Sequence, residues 1–249
     1  MLVTGGGSGI GRELARRWAE GGNTVIVAGR RQDALDETIA GRERMHAVVL
    51  DVEVGRAVDT FAADLLQRFP ALNVLVNAGV MPIEPNDRRR DLARAEATVT
   101  TNLLGPIRLV NAFVEQLVGQ DDAAVVNVTS GLAFVPLVDA AVYCATKAAI
   151  HSWTLSLRDA LRGRVEVIEL APPGVQTSLT PGQEHRPGYM PLADFIEETM
   201  RRFAKQPTPT EIPVQRAQML RTAEAEGRFD ATFQQLNESA RAARAASGG

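Results

Sequence analysis

The sequence has few of the residues that disulfide bonds and metal centres require. Cys144 is the single cysteine among 249 residues, so no disulfide can form within the chain, as suits a reducing cytoplasm. The three histidines, His46, His151 and His185, are scattered, with no cysteine or carboxylate at metal-ligand spacing. We therefore expect a cytoplasmic protein without a metal site.

Charge and hydropathy argue against two further classes of protein. The net charge is -3, without the basic excess that nucleic acids or anionic membranes attract. No apolar run reaches the length of a membrane span, and no basic region followed by an apolar stretch marks a signal peptide. Hydrophobic residues make up 45% of the chain, which is enough for a sizeable core. We expect neither nucleic-acid nor membrane partners.

Short apolar runs alternate with helical patterns as far as Leu170. The runs are continuous, which is typical of parallel strands covered on both faces. Strands are predicted at Met1–Val3, Thr24–Ala28, Met45–Leu50, Asn73–Val76, Ala123–Val128 and Val165–Leu170. Helices are predicted at Ile10–Glu20, Gln32–Ala40, Val54–Arg68, Asp91–Val118 and Val142–Leu161. This order predicts an α/β fold, a doubly wound parallel sheet of the Rossmann type flanked by helices on both faces.

The pattern changes from Pro172 onwards. Prolines and glycines predict a loop up to Pro191, and a helical pattern follows, so we expect residues 172–205 to form a substrate loop and lid. A short strand is predicted near residues 211–214, helices resume at Gln215 and Asp230, and residues 240–249 are expected to fray. Because no linker interrupts the chain, we predict a single domain over residues 1–249.

The stretch TGGGSGIG, at residues 4–11, lies between an apolar strand and a helix. Glycines at this spacing permit a tight turn, close approach of a pyrophosphate and close helix–strand packing, and the helix N-terminus adds unpaired amides. Only three residues precede Thr4, so the first strand is short, and a natural start upstream of Met1 stays open. The stretch predicts nucleotide binding by Thr4, Gly5, Gly7, Ser8, Gly9, Ile10 and Gly11.

The second predicted strand is followed by Gly29, Arg30 and Arg31, where this fold contacts the adenosine ribose. A carboxylate there would accept a bond from the 2'-hydroxyl, whereas a guanidinium suits a 2'-phosphate. Arg30 therefore predicts a preference for NADP(H), with NAD(H) still possible. The alternative is a solvated charge at a helix start, above all for Arg31. Asp51 could contact adenine or cap the next helix.

Tyr143 and Lys147 lie four residues apart on a predicted helix, and hence on one face. An ammonium about 4 Å from the phenol is worth roughly 4 kcal/mol at an effective dielectric near 20. That would lower the pKa of a tyrosine, ordinarily about 10, by about three. Alone, the pair could equally be a core tyrosine beside a surface lysine. Ser130 ends a predicted parallel strand, where side chains point into the ligand crevice and could hold a substrate oxygen.

Together these elements resemble a short-chain dehydrogenase/reductase of the single-domain kind, in the DltE-like subgroup. The resemblance runs from residue 1 to about residue 180. Its matching elements, in chain order, are TGGGSGIG, Leu50-Asp51-Val52, Asn77-Ala78-Gly79, Asn102, Ser130, Tyr143 and Lys147. The C-terminal part departs from the strand with which many relatives build a tetramer, so the resemblance implies a homodimer or another homo-oligomer.

The resemblance implies hydride transfer between a nicotinamide cofactor and a small carbonyl or alcohol substrate. Tyr143 would be the general acid/base, Lys147 would lower its pKa and bind the nicotinamide ribose, Ser130 would orient the substrate oxygen, and Asn102 would support a water beside the lysine. Further cofactor contacts are implied for Asp51, Val52, Asn77, Ala78, Gly79, Val175 and Thr177. The alternative from another class is a non-catalytic NADP(H)-binding sensor or scaffold, which typically lacks the tyrosine or the lysine.

Overall fold

The computed structural model describes residues 1–78, 91–180 and 182–246 of the chain. Within these ranges seven parallel strands form one sheet in the order β3-β2-β1-β4-β5-β6-β7. Their bounds are β1 (Leu2–Thr4), β2 (Val25–Gly29), β3 (Met45–Val49), β4 (Val74–Asn77), β5 (Ala124–Val128), β6 (Glu166–Ala171) and β7 (Glu211–Pro213). The sheet starts at its centre and winds outwards on both sides, so the predicted doubly wound fold is confirmed.

Helices cover both faces of this sheet. Their bounds are α1 (Gly9–Glu20), α2 (Gln32–Ile39), α3 (Gly55–Arg68), α4 (Leu92–Val99), α5 (Gly105–Val118), α6 (Ala141–Ala160), α7 (Leu192–Phe203), α8 (Gln215–Arg221) and α9 (Phe229–Ala246). Neighbouring strand residues point to opposite faces, so Val3 packs with α1, α2 and α7, whereas Leu2 packs with α3, α5 and α6. Two buried faces explain why the strands are apolar without alternation.

The predicted helix over Asp91–Val118 is interrupted by one turn of π-helix at Thr100–Leu104. The Gly105 N–H donates to the Thr100 carbonyl, five residues back. Pro106 has no N–H, so a regular α-helical bond to the carbonyl of Asn102 cannot form there. Such single π-turns are frequent at functional sites, and this one carries Asn102.

The helix of the expected lid region belongs to the core. Phe195 of α7 is fully buried, and Phe203 meets the edge of Trp18 on α1 at 5.6 Å between ring centroids. Met190, ahead of the helix, is buried in the same cluster. The apolar stripe of this helix therefore covers the sheet, and the loop before it, not α7, is what lies at the end of the strands.

The C-terminal helix α9 continues to Ala246, where we expected the chain to fray from residue 240. Alanine and arginine, which fill its last turns, are both strong helix formers. The helix is anchored by Asn237, whose side chain accepts from the Val138 N–H at 2.8 Å and donates to the Pro136 carbonyl at 3.1 Å. No helix in the described ranges combines the length and apolarity needed to cross a bilayer.

We predict that Gly11→Ala destabilises the protein. A β-carbon at Gly11 would lie 2.5 Å from the Gly5 carbonyl oxygen, so α1 would have to move away from the turn. Such overpacking costs about 1–3 kcal/mol. Urea unfolding measures the effect, and Gly55→Ala is the control, because its β-carbon meets nothing closer than 3.7 Å. The control should be neutral or stabilising by up to about 1 kcal/mol; equal losses in both variants would contradict the packing argument.

Candidate active site and dinucleotide cleft

The glycine turn between β1 and α1 has the backbone that its sequence predicts. Gly5 and Gly9 have positive φ angles of 63° and 51°, which residues with a β-carbon rarely adopt. A β-carbon at Gly5 would lie 3.1 Å from that of Ala78, and one at Gly9 would lie 3.4 Å from Thr177. The turn therefore presents bare backbone and the N-terminus of α1 to the crevice, which fits the pyrophosphate of a dinucleotide.

Thr4 braces this turn from inside the protein. Its hydroxyl donates to the Val76 carbonyl and accepts from the Ala78 N–H, both at 3.2 Å, and its side chain is buried. The end of β4 is thereby tied to the start of the turn. Of the remaining predicted turn residues, Gly7 precedes the helix, Ser8 is its N-cap, and Ile10 and Gly11 lie in its first turn, with Ile10 packed against the core. Gly79 lies outside the described residues.

A cavity of about 120 Å³ lies at the carboxyl ends of β1, β2 and the third strand. It brings together predicted cofactor residues from four segments of the chain, namely Thr4, Gly5, Arg30, Asp51, Val52 and Ala78. Glu53 and Thr101 also line it, although no motif pointed to them. The Arg30 guanidinium lies 3.5 Å from the Glu53 carboxylate, which accepts a 2.7 Å bond from the Thr101 hydroxyl. A cation and an anion thus share this end of the cleft.

Asp51 does not cap the helix that follows it. Its carboxylate accepts from the Glu53 N–H at 3.0 Å, in a turn that precedes the start of α3 at Gly55. Val54 occupies the N-cap position instead. The capping alternative is therefore wrong, and the side chain of Asp51 stays at the cavity wall.

Ser130, Tyr143 and Lys147 meet where α6 crosses the end of β5. The Ser130 hydroxyl accepts from the Leu132 N–H at 3.1 Å and lies near enough to the Tyr143 phenol to lower its pKa. The Lys147 ammonium donates to the Val128 carbonyl at 2.6 Å and lies 5.6 Å from the centre of the Tyr143 ring. All three side chains are buried. The predicted neighbours are therefore brought together by the fold.

The pKa of Tyr143 moves opposite to the expected direction. Burial raises it to about 12, and the neighbouring Ser130 hydroxyl only partly opposes this effect. Burial lowers the pKa of Lys147 from the ordinary 10.5 to about 8, with partial compensation from the charge of Glu169. We expected a lowered pKa from the charge of Lys147, whereas desolvation is the larger effect for both groups in this site.

Asn102 reaches the helix of the tyrosine through a threonine. Its side-chain amide donates to the Thr146 hydroxyl at 3.2 Å, and that hydroxyl donates to the Tyr143 carbonyl at 2.7 Å. The π-turn and α6 are thereby joined beside the catalytic candidates. Thr146 carried no signal of its own in the sequence, since its partners are 44 and three residues away.

Two further buried amides cross the sheet in the same layer. Asn77 donates to the side-chain oxygen of Asn127 at 3.0 Å, and Asn127 donates to the Thr154 hydroxyl of α6, also at 3.0 Å. The side-chain oxygen of Asn77 has no hydrogen-bond partner among the described residues. Asn77 is therefore a polar group at the end of β4 with capacity for one more bond.

The loop after β6 lies against the glycine turn. Gln183 donates to the Val175 carbonyl at 2.8 Å and to the Thr177 hydroxyl at 3.1 Å, and so holds both predicted nicotinamide contacts in one arc. Thr177 is also the residue that a β-carbon at Gly9 would meet, at 3.4 Å. Gln183 was missed because its partners lie in an irregular loop that no periodic pattern marks.

Cys144 lies behind the site, not in it. Its sulfur accepts from the Leu137 N–H at 3.3 Å, and burial raises the pKa of its thiol, which disfavours a nucleophilic role. It lines an apolar cleft of about 410 Å³ that also involves Phe233 of α9. In the part of the chain that the structure covers, no three His, Cys, Asp or Glu side chains gather so as to hold a metal ion.

Comparison with known proteins gives matches over most of the chain. A family model described as short chain dehydrogenase matches residues 1–187. The chain is 38% identical to the uncharacterized oxidoreductase DltE of Bacillus subtilis (strain 168) over 95% of this chain and 96% of the relative. A short-chain dehydrogenase from Streptomyces avermitilis superposes with a TM-score of 0.79 at 26% identity, covering 96% of both chains. An alcohol dehydrogenase from the archaeon Thermococcus sibiricus, solved with 5-hydroxy-NADP, gives a TM-score of 0.74 at 25% identity over 85% of this chain and 92% of its own.

We predict that the buried Lys147 makes stability rise with pH between about 8 and 10. In this window the unfolded lysine is protonated and the folded one is not, so raising the pH favours the folded state. Above about 10 the raised pKa of Tyr143 acts in the opposite direction, since the unfolded phenol ionises first. In urea unfolding, the wild type should gain about 2 kcal/mol relative to Lys147→Met between about pH 7.5 and pH 10. Lys205→Met, at an exposed position, is the control, and its free energy of unfolding should change with pH as that of the wild type does. If Lys147→Met also followed the wild type, the prediction that Lys147 has a lowered pKa in the folded state would be refuted.

Proposed function

This chain belongs to the short-chain dehydrogenase/reductase family and is an NAD(P)-dependent oxidoreductase, and from this premise we propose that it interconverts a small carbonyl compound and its alcohol with NADP(H). The observation that carries the proposal is the buried group of Ser130, Tyr143 and Lys147, in which the ammonium is fixed to the end of β5 and lies 5.6 Å from the Tyr143 ring centre. The glycine turn fits a dinucleotide at the same edge of the sheet. When bound there, the cofactor supplies the hydride, and the chain's own groups handle the proton.

Tyr143 is the proton donor in reduction. A phenol with a pKa of about 12 keeps its proton at neutral pH, so it can deliver that proton to the carbonyl oxygen as the carbon is reduced. Ser130 binds the same oxygen and directs it towards the phenol. In the reverse direction the phenolate accepts the alcohol proton. Burial of both hydroxyls excludes water from the transfer.

Lys147 supplies positive charge and hydrogen-bond donors next to this pair. An ammonium has three donors, and the Val128 carbonyl takes one, so two can serve the nicotinamide ribose and a proton path. Asn102, on the π-turn, supports the proton path beside Lys147. Its hydrogen bond to Thr146, which in turn donates to the Tyr143 carbonyl, holds the first turn of α6 in place. Val175, Thr177 and Asn77 border the place for the nicotinamide, and Gln183 orders that loop.

Arg30 is the group in the adenosine cavity that favours a 2'-phosphate. Its side chain is 61% exposed and can turn towards a ligand at low cost. The neighbouring Glu53 opposes a second anion in the same cavity, so the preference for NADP(H) depends on how far Arg30 outweighs Glu53.

We expect Tyr143→Phe to reduce kcat at least about 100-fold and to leave NADPH affinity unchanged, because the variant loses only the transferable proton. Steady-state turnover on a panel of aldehydes and ketones, with NADPH binding followed by fluorescence, measures both. Tyr189→Phe is the matched control and should retain turnover, because the Tyr189 hydroxyl accepts a 3.2 Å hydrogen bond from Arg186. Undiminished turnover of Tyr143→Phe would exclude this mechanism. A wild type that binds NADPH but turns nothing over would favour the sensor or scaffold alternative.

Arg30→Gln should lower the stabilisation by NADPH and leave that by NADH unchanged, since only NADPH carries the 2'-phosphate. A ligand at a hundredfold excess over its Kd stabilises the native state by about 2.7 kcal/mol, which a shift in Tm reports. Thermal melts with each cofactor at matched concentration make the comparison. Arg31→Gln, next to it and exposed, should behave like the wild type. Equal shifts in Tm with NADPH and NADH in the wild type would mean that Arg30 does not bind the 2'-phosphate.

A further inference from the structure

Glu169 is a buried carboxylate that the proposed reaction does not use. It lies on β6, in the interior of the sheet between β5 and β7, and its side chain is fully buried. A carboxylate in such a place is costly unless it is hydrogen-bonded and its charge is balanced. The groups that donate hydrogen bonds to Glu169 or balance its charge therefore indicate its role.

Both oxygens of this carboxylate are engaged. The Thr129 hydroxyl donates to Oε1 at 2.7 Å, and Nδ1 of His151 lies 2.8 Å from Oε2. His151 is on α6 and its side chain is 20% exposed, so it links the buried carboxylate to solvent. No motif marks His151 in the sequence, because its partner is on a strand 18 residues later.

The same two segments hold Lys147. It lies one helical turn before His151 on α6, and its ammonium is bonded to the carbonyl of Val128, the residue before Thr129. The cation and the carboxylate thus occupy one buried layer between β5, β6 and α6. In that layer the negative charge of Glu169 raises the pKa of Lys147, against the larger opposite effect of burial.

The other charges near Glu169 have partners of their own. Arg221 on α8 is also influenced by the charge of Glu169, but its guanidinium makes two hydrogen bonds to Glu211. Glu211 is the register partner of Glu169 on β7, so this pair closes the outer side of the layer. On α6, His151 contacts Glu169 and Lys147 lies one turn before it, whereas Arg158 donates to the carbonyls of Val167 and Thr210.

We propose that Glu169 is a positioning residue of the active site, whose carboxylate, held by Thr129 and His151, stabilises the ammonium form of Lys147. The use of that ammonium in catalysis rests on the proposed function. The electrostatic pairing itself does not, and it can be measured in a protein that turns nothing over.

Lys147 and Lys205 are the only lysines in the sequence, so NMR of protein labelled with ¹³C at lysine Cε yields two assignable side-chain signals. Lys205 is exposed and serves as the internal reference. In the wild type the Lys147 signal should titrate near 8. In Glu169→Gln, which keeps the shape and loses the charge, we expect its midpoint about one pH unit lower. Glu166→Gln removes the same charge from an exposed position of the same strand and should leave the midpoint unchanged.

Glu169→Met is the second charge-free variant, because its side chain has a similar volume and brings no buried polar atom that needs a partner of its own. It decides the matter if Glu169→Gln does not fold. An unchanged Lys147 midpoint in the folded charge-free variant, or an equal shift in Glu166→Gln, would overturn the proposal. In turnover, loss of the charge should move the high-pH limb of carbonyl reduction to lower pH by the same amount. An inactive wild type would contradict the proposed function and leave the NMR result intact.

Discussion

The hydrogen bond from the Lys147 ammonium to the Val128 carbonyl is the contact on which the arrangement of the site depends. It fixes α6, which carries Tyr143, to the end of β5, which leads directly to Ser130. Because the bond is buried, both the lysine and the tyrosine are transferred into a medium of low dielectric. The same contact that positions the groups therefore also sets the energies at which they lose their protons.

The two halves of the site meet where the strand order reverses, between β1 and β4. Sheets of this type bind ligands in the crevice at such a switch point. On one side the glycine turn offers backbone without side chains, and on the other the layer under α6 offers hydroxyls, amides and an ammonium. Thr4 and Thr177 join the halves, since each contacts an element from the opposite side.

Most of the fold could be predicted from the sequence because its signals are local. The predicted and observed strand bounds agree within about one residue. A strand that is buried on both faces is a continuous apolar run, so its ends can be seen in the sequence. The interruption at residues 100–104 was missed because an apolar periodicity does not reveal a π-turn, although Pro106 was visible. Ser130, Tyr143 and Lys147, which the motifs singled out, meet at the end of β5, whereas Glu53 and Gln183 carried no signal in the sequence. The residues that these two side chains contact are distant in the sequence or lie in an irregular loop, and only the fold brings them together. The pKa of Tyr143 was predicted in the wrong direction for a similar reason, because the burial that raises it depends on the folded chain as a whole.

The two hydrogen bonds of Asn237 to residues 136–138 can form only late in synthesis of the chain. That segment lies between Ser130 and Tyr143, and it is held by a side chain about a hundred residues later in the chain. Asn237 follows β7, the last strand in the described ranges, so these two hydrogen bonds can form only after all seven strands have been synthesised. The segment between Ser130 and Tyr143 therefore gains these two contacts only when the C-terminal helix is present.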